Sequence, residues 1–191
     1  MPSSSTNTVA NVAVGKPKII GAVYRAALGS TLPTSASTTL DAAFKAMGYI
    51  SDDGVVNSKT RNVTEIKAWG GDVVLTPQTG KIDTFKMSFI ESKNLEVLKA
   101  VHGSGNVSGS TLASGIVVKE NSIELDHAAW VIDTVLGNEI KRIVIPDGKP
   151  TEVGDVTYKD DEAVAYEVTI TAYPTSAYDN DTHREYLVTA S

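Results

Sequence analysis

Alternation of apolar and polar residues is the strongest pattern along the chain. In the run KIDTFKMSFIE, one side of an extended strand carries Asp83, Phe85, Met87 and Phe89. Because successive side chains of a strand point to opposite faces, this side is predicted to face a core. The run YEVTITAY, residues 166–173, alternates in the same way. Both runs therefore predict strands with one buried face.

Further runs rich in β-branched residues predict additional strands. They are KIIGAVYRAA (18–27), NVTEIKAW (62–69), DVVLTP (72–77), GIVVKEN (115–121), AAWVIDTVLG (128–137) and EIKRIVIPDG (139–148). The last runs are separated by turn signals at Gly137-Asn138 and at Pro146-Asp147-Gly148. With 22 valines, 20 threonines and 13 isoleucines among 191 residues, the composition also favours a β-rich fold.

In the run SKNLEVLKAVHG, the apolar residues recur with the period of a helix and no longer at every second position. Its apolar residues Leu95, Leu98 and Val101 lie on one helical face. Ser92 or Asn94 can cap this helix, and Gly103 can end it. A second, shorter helix is predicted over Leu40–Met47, where apolar residues also recur at helical spacing before Gly48. Strands around one good helix predict a mainly β fold, an antiparallel sandwich or barrel with one flanking α-helix.

Length and composition predict how the chain is organised. Residues 1–17 are rich in Ser, Thr, Asn and Ala, which predicts a free, flexible N-terminal arm. Residues 18–191 are predicted to form a single domain, because 191 residues are enough to bury one core. The N-terminus has neither a basic start nor a sustained apolar run, so we expect no signal peptide, no membrane partner and synthesis in a bacterial cytoplasm.

Charge and cysteine content narrow the classes of function. The formal net charge of −6 argues against a protein that grips nucleic acid, because phosphate neutralisation needs clustered Lys and Arg. The absence of cysteine excludes disulfides, thiolate catalysis and sulfur-ligated metals. The three histidines have no helical pair spacing and are interpreted as surface residues. Acidic clusters at Asp52-Asp53-Gly54 and at 160–162 fit solvated turns, so we expect no enzyme, no catalytic residue, no metal and no cofactor.

The stretch IKAWGGDVVLTP (66–77) places Trp69, Gly70 and Gly71 between two predicted strands. Glycines permit backbone angles that a side chain would forbid, so the pair predicts a turn or bulge. We expect Trp69 to bury its ring there. Two interpretations stay open: a corner that aims the next strand toward a subunit contact, or an ordinary core Trp beside a hairpin turn.

The succession of these features resembles the major tail tube proteins of long-tailed, siphovirus-type bacteriophages. The resemblance covers about residues 18–103 and includes the 29–33 loop (Gly29, Thr31, Leu32, Pro33), Gly48-Tyr49-Ile50-Ser51, Gly54, Trp69-Gly70-Gly71 and the run TFKMSFIESKNLEVLKAVHG. It implies a structural virion protein of the phage tail. In that family six copies form a ring, four strands of each copy join one inner barrel, and stacked rings conduct DNA without binding it specifically.

The resemblance also implies partners and contact segments. The expected partners are further copies of the chain and other tail proteins, namely the tape measure, the tail tip and the terminator. The N-terminal arm and two polar loops, 29–39 and 51–62, are the expected contacts. The candidate contact residues are Gly29, Thr31, Pro33, Ser51, Asp52, Asp53 and Gly54. An acidic bore would repel DNA, since six copies sum to about −36.

A monomeric β-sandwich that binds a carbohydrate or a virion-surface ligand is the alternative. Such modules present exposed aromatic side chains on one face. Here aromatic residues make up only 6% of the chain, and Trp69 and Trp130 both lie in apolar strand contexts. A hydrolase finds no support, because no catalytic set is present in the sequence.

Overall fold

The computed structural model of the chain describes residues 8–18 and 21–189. Its secondary structure is almost entirely antiparallel β, with one α-helix, α1 (Leu95–His102), among the described residues. The strands are β1 (Gly15–Pro17), β2 (Val23–Ala27), β3 (Lys45–Ala46), β4 (Ile50–Val63), β5 (Ile66–Lys67), β6 (Val73–Leu75), β7 (Gln78–Phe89), β8 (Val107–Ser108), β9 (Val117–Val118), β10 (Ala128–Leu136), β11 (Glu139–Val153), β12 (Tyr166–Ala172) and β13 (Arg184–Thr189). The predicted fold class is confirmed.

Nine strands form one sheet that folds over on itself at β11. The order is β3-β2-β10-β11-β12-β7-β4, with β1 also paired to β10 and β13 to β11. Residues 139–144 of β11 pair with β13 and β10, whereas residues 148–153 pair with β12. Half A consists of residues 139–145 of β11 together with β1, β2, β3, β10 and β13. Half B consists of residues 148–153 of β11 together with β12, β7 and β4.

One apolar cluster lies between the two halves. Half A contributes Trp130, Ile132 and Ile145, half B contributes Phe85, Met87, Phe89, Val168 and Ile170, and α1 adds Val97, Leu98 and Val101. The predicted core face of β7 is confirmed, since Phe85 and Phe89 are fully buried. The predicted helix is confirmed as well, with Asn94 accepting a hydrogen bond from the Glu96 amide and Gly103 ending it.

The opposite face of half A is covered too. A smaller cluster there contains Ala26, Phe44, Ala129, Val131 and Val144, packed by Tyr24, Leu32, Leu40, Tyr178 and Tyr186. The covering material is the loop 28–44 and the turn Ser176–Tyr178. The central strand β10 of half A is therefore buried on both faces over residues 128–133.

The helix predicted over Leu40–Met47 is wrong. The amide of Ala43 donates to the carboxylate of Asp41, and the Phe44 amide donates to the Asp41 carbonyl, so a local turn replaces the helix. Lys45–Ala46 then pairs with β2. Phe44 and Met47 enter the two different apolar clusters on opposite faces of half A, which one helical face cannot do.

Three further expectations are corrected. The predicted turn at Pro146-Asp147-Gly148 lies inside β11, at the bulge where this strand changes from β10 to β12; a bulge tolerates a proline, which has no N–H to donate. Part of the predicted free arm is ordered, because β1 pairs with β10. Residues 1–7 of the predicted N-terminal arm lie outside the described residues. The first predicted strand, residues 18–27, is shorter in the structure, where it spans Val23–Ala27. Its residues 19–20 also lie outside the described residues.

Candidate functional site

A long β-hairpin extends beyond the body of the sheet. Strands β4 and β7 pair from Val55–Met87 out to Val63–Gln78, and β5 and β6 continue as a second small ladder toward the tip. We call residues 56–82 the arm. All residues from 58 to 76 are exposed, so this part of the chain contributes nothing to the core.

The tip of the arm is the predicted Trp69-Gly70-Gly71 turn. The amide of Ala68 bonds the Asp72 carbonyl at 2.8 Å, and the Gly71 amide bonds the Ala68 carbonyl at 3.0 Å. Gly70 and Gly71 have φ values of 125° and 99°, which favour glycine. The expected burial of Trp69 is wrong: its relative exposure is 108%, because the hairpin has no second layer of chain over it.

Apolar side chains are concentrated on the arm. Eight of the 20 large hydrophobic residues that are exposed in the described structure lie there: Val56, Val63, Ile66, Trp69, Val73, Val74, Leu75 and Ile82. Exposed large apolar side chains that are concentrated on one element are typical of an interaction site. The arm is therefore a candidate contact surface, of which only residues 56–62 and the Trp69-Gly70-Gly71 corner were indicated by the sequence.

The first predicted contact loop is a loop in the structure, but it is pinned to the body. Arg142, 3% exposed, donates to both carboxylate oxygens of Asp133 at 2.7 and 2.8 Å. Its remaining nitrogen donates to the carbonyls of Ser35 and Thr38. A buried ion pair thus holds the loop against half A.

The candidate contact residues of this loop differ in accessibility. Gly29 and Thr31 are exposed and available to a neighbour. Pro33 is buried within the single subunit, and its expected contact with another copy stays a prediction.

The second predicted contact loop, 51–62, is not a loop but most of strand β4. Only Ser51–Gly54 departs from regular pairing, because the β4–β7 register shifts between Ile50 and Val55. Gly54 takes a left-handed φ of 71° in this bulge, and Asp52 and Asp53 are exposed. The four candidate residues therefore lie together at the end of half B that is opposite to the arm.

Half B presents one face to water, and we call this face the bare face. The register of β4, β7, β12 and β11 brings hydroxyl side chains together on it: Ser58, Thr60, Thr84, Ser88, Thr151, Thr169 and Thr171. Thr151 and Thr171 share a hydrogen bond of 2.8 Å. Lys86 binds Glu167 at 2.8 Å in the middle of this face, and this hydrogen bond raises the pKa of Lys86.

Charges on the bare face balance. Lys86 and Lys149 face Glu167 and Glu152 from neighbouring strands, and Lys149 also binds Glu124. Asp155 and Glu162 add negative charge at one end of this face, where they line a groove with Ser88 and Glu167.

The two edges of half B are open. Among the described residues, β4 pairs only with β7, and residues 149–153 of β11 pair only with β12. Open edges present unpaired backbone N–H and C=O groups to any strand that approaches. The bare face is thus bounded on both sides by sites for strand pairing.

A buried polar network joins the arm to the C-terminal strand, and the sequence analysis missed it. Asp83 is 1% exposed and accepts hydrogen bonds from Asn57, Thr182 and His183. Burial alone would raise the pKa of Asp83, but these hydrogen bonds and the His183 ring outweigh it, so the pKa is lowered. The signal was available, because a carboxylate on a predicted core face requires partners.

His183 corrects the view of the histidines as surface residues. Its side chain is 8% exposed and packs edge-on against Phe85 at 5.2 Å between ring centres. In the described residues no group of three or more His, Cys, Asp or Glu side chains could hold a metal ion. Nor does the described part of the chain contain a helix long and apolar enough to cross a membrane.

The most exposed aromatic residue lies apart from the others. Trp69 is at the tip of the arm, whereas Tyr49, which precedes β4, and Tyr158, in the loop 154–162, lie toward the opposite end of half B. A carbohydrate site stacks a sugar on neighbouring rings. Trp69 therefore has no exposed aromatic neighbour that could extend such a platform among the described residues.

Comparison with known proteins agrees with the geometry. A family model described as phage tail tube protein matches residues 11–186. No curated protein sequence matches the chain. A cryo-EM structure of the anti-feeding prophage cap, the AFP tube terminating cap, is similar over 100% of both chains at 12% identity and a TM-score of 0.41, which is too weak a likeness to carry an argument.

Proposed function

The chain belongs to the phage tail tube protein family, which makes it a structural protein of a phage tail, and we propose that its copies close into rings of six that stack into the tube. The observation that carries the proposal is the bare, polar face of half B between two open strand edges. The number six comes from the resemblance in the sequence. The tail is of the long, siphovirus type.

Ring closure completes the sheet. The β4 edge of one copy pairs with the β11 edge (149–153) of the next copy, so that every copy uses two different edges. Such head-to-tail contacts form a closed ring when the rotation between copies divides a full turn. Closure also removes the exposed edges, which otherwise invite aggregation.

The dimensions allow an open bore. Six copies with four strands each make 24 strands, and at a spacing of about 4.8 Å these give a circumference of roughly 115 Å and a backbone diameter of about 37 Å before strand tilt widens it. Barrels of 16–18 strands already leave an aqueous channel. A ring of this size therefore encloses a channel.

The bare face of half B lines this channel. Half A, with β10 covered on both faces, and the helix α1 form the wider outer layer. DNA then passes hydroxyl groups, paired charges and the exposed apolar side chains of Val56 and Ile82. This surface offers the phosphates no basic patch to hold them. Ejected DNA slides through the tube.

The other inferred partners in the tail are the tape measure, the tail tip and the terminator, which follow from the resemblance in the sequence. The subunit is made in the bacterial host cytoplasm and functions in the virion tail. Catalysis has no part in this role.

Trp69 supplies a direct signal for assembly. Its ring is fully exposed in the single subunit, whereas Trp130 is fully buried. When purified protein polymerises, the emission of Trp69 is expected to shift to shorter wavelength, and the Trp69→Phe variant should lose this shift. Negative-stain electron microscopy and size-exclusion light scattering then show whether the shift accompanies rings and tubes.

The Trp69-Gly70-Gly71 corner is tested by Gly71→Val. A valine at φ 99° strains the turn although no atom lies within 4 Å of the added Cβ, so the subunit should stay soluble but form no tubes. Gly115→Val is the matched control, because Gly115 also has a positive φ and open space but lies outside the arm. Wild-type tube lengths in Gly71→Val would reject the role of the corner.

A strictly monomeric wild-type protein, even with tail-tip initiators present, would reject the tube function and favour the binding module.

A further inference from the structure

The β11 edge of half B is unpaired, but part of the same chain lies beside it. Gly148 pairs with Ala128 of β10 on one side and with Ala172 of β12 on the other. Because β12 continues to pair along residues 149–153, the free backbone groups of these residues point to the side of β10. The residues that precede Ala128 in the chain therefore approach the edge at which a neighbouring copy is proposed to pair.

Residues 122–125 run along this edge, and we call them the strap. Ile123, Glu124 and Leu125 line a groove of about 370 Å³ together with residues 149–153 of β11. Neighbouring strands of a sheet lie about 4.8 Å apart, so a strand that pairs with residues 149–153 has to enter the space on this side. The strap thus stands at the position that the β4 edge of the next copy needs.

Side chains, and not the backbone, join the strap to the edge. Among the described residues no backbone hydrogen bond connects residues 122–125 with residues 149–153. Instead the Glu124 carboxylate accepts a hydrogen bond from the Lys149 ammonium group. The Glu124 side chain is 83% exposed, and ion pairs of exposed groups contribute little to stability. This contact can therefore open without unfolding the subunit.

Both ends of the strap are fixed to the chain that follows α1. Asn121 and Asn106 exchange two hydrogen bonds, at 2.7 and 3.2 Å. At the other end, Asp126 accepts a hydrogen bond from the Ser104 amide at 3.0 Å and lies 3.8 Å from Arg25. The strap is thus a short bridge between two anchors, and release of Lys149 frees it from the edge while both anchors stay in place.

We propose that the strap is autoinhibitory: it occupies the β11 edge of the isolated copy and must release Lys149 before the β4 edge of a second copy pairs there. The inference rests on the proposed ring closure and adds how closure is delayed. Without the strap, a copy presents two complementary edges that pair at any encounter and build irregular chains. With the strap in place, every such encounter competes with a contact inside the copy.

Loss of the ion pair is the first test. In Glu124→Gln the strap keeps its length but loses its charged contact, so the lag before unseeded tube growth should shorten at least about two-fold. Glu139→Gln is the matched control, because it makes the same charge change on an exposed carboxylate of half A. This control should keep the wild-type lag. An unchanged lag in Glu124→Gln, or an equal shortening in the control, overturns the proposal.

A reversible lock is the second test. The chain has no cysteine, so Glu124→Cys with Lys149→Cys places two thiols where the ion pair stands. A bis-maleimide with a disulfide in its spacer joins them, and a reductant cuts the spacer in the same molecules. The locked protein is expected to stay folded and monomeric in size-exclusion light scattering and to form no tubes in negative-stain electron microscopy. Cutting the spacer should restore tube growth.

The outcomes separate the strap from the tube function. If the locked protein forms tubes as fast as the cut protein, the edge accepts a neighbour with the strap in place. That result overturns the autoinhibition and leaves the tube function standing. Absence of tubes from the wild-type protein, even with initiators present, overturns the tube function and the autoinhibition with it.

Discussion

Replacement of Arg142 by methionine should destabilise the subunit more than any surface substitution. The change removes the buried guanidinium but keeps an unbranched side chain of similar length. Asp133, 1% exposed, then loses both of its hydrogen bonds from Arg142. The nearest remaining cation is the Lys18 ammonium at 3.8 Å.

The expected loss of unfolding free energy follows from the Asp133 carboxylate, which the substitution leaves buried without its main partner. Breaking a buried ion pair by removal of one partner costs about 3–5 kcal/mol, because the other charge stays in the interior. The carbonyls of Ser35 and Thr38 also lose their donor, but water can replace it at this exposed loop. A loss of about 4 kcal/mol is a large part of the 5–15 kcal/mol that typically stabilises a domain.

Urea unfolding of the Trp69→Phe background measures this loss, because Trp130 then reports alone from the core. The double variant Arg142→Met, Asp133→Leu removes the stranded charge and should recover at least half of the loss. Hydrogen exchange of residues 28–44 should rise in both variants. A loss below about 1 kcal/mol in Arg142→Met, or a double variant less stable than the single one, would refute the reasoning.

Three further outcomes are expected. In Gly148→Ala the new Cβ would lie 2.8 Å from the Trp130 ring, so urea unfolding should show a loss of about 1–3 kcal/mol. Asp83 has a lowered pKa when folded, so it stabilises the fold above its unfolded pKa of about 4, and stability should fall as pH drops through the folded value. In Glu167→Gln the unpaired Lys86 adds one positive charge per copy to the bare face, and assembled tubes should retain DNA in a salt-dependent way.

Matched variants separate these effects from general damage. Gly105→Ala meets no atom within 4 Å and should keep wild-type stability. Asp83→Asn should flatten the acid part of the stability curve, and an unchanged slope would show that other groups cause it. Glu96→Gln breaks the Lys99–Glu96 pair on α1 with the same charge change, so equal DNA retention in this variant would contradict a lumenal position of Lys86.

Elements buried on one face could be predicted from the sequence because their pattern is local. The alternation in β7 and the helical spacing of Leu95, Leu98 and Val101 each describe one strand or helix against one core. The segment Leu40–Met47 defeated the same logic. Its apolar spacing fits a helix, but it fits equally well a loop from which Phe44 and Met47 pack into two different clusters.

The tip of the arm could be predicted from the sequence, but the strand character of residues 51–61 could not, for a physical reason. Strand β4 has water on both sides over residues 58–63, so selection for a buried face leaves no alternation there, and only its pairing with β7 makes it a strand. Trp69 was misplaced because burial depends on a second layer of chain. A sequence shows that a side chain is apolar, but not whether its own subunit reaches far enough to cover it.

This separation explains how such a subunit can be soluble and still polymerise. The core between the two halves is complete without residues 58–76 of the arm, so substitutions there should leave the stability of the single subunit unchanged. Burial of the Trp69 ring alone, at about 150–250 Å² and 25 cal/mol per Å², contributes about 4–6 kcal/mol before the cost of association. Because that free energy is released only against another copy, assembly depends on concentration and on an initiating surface, while folding depends on neither.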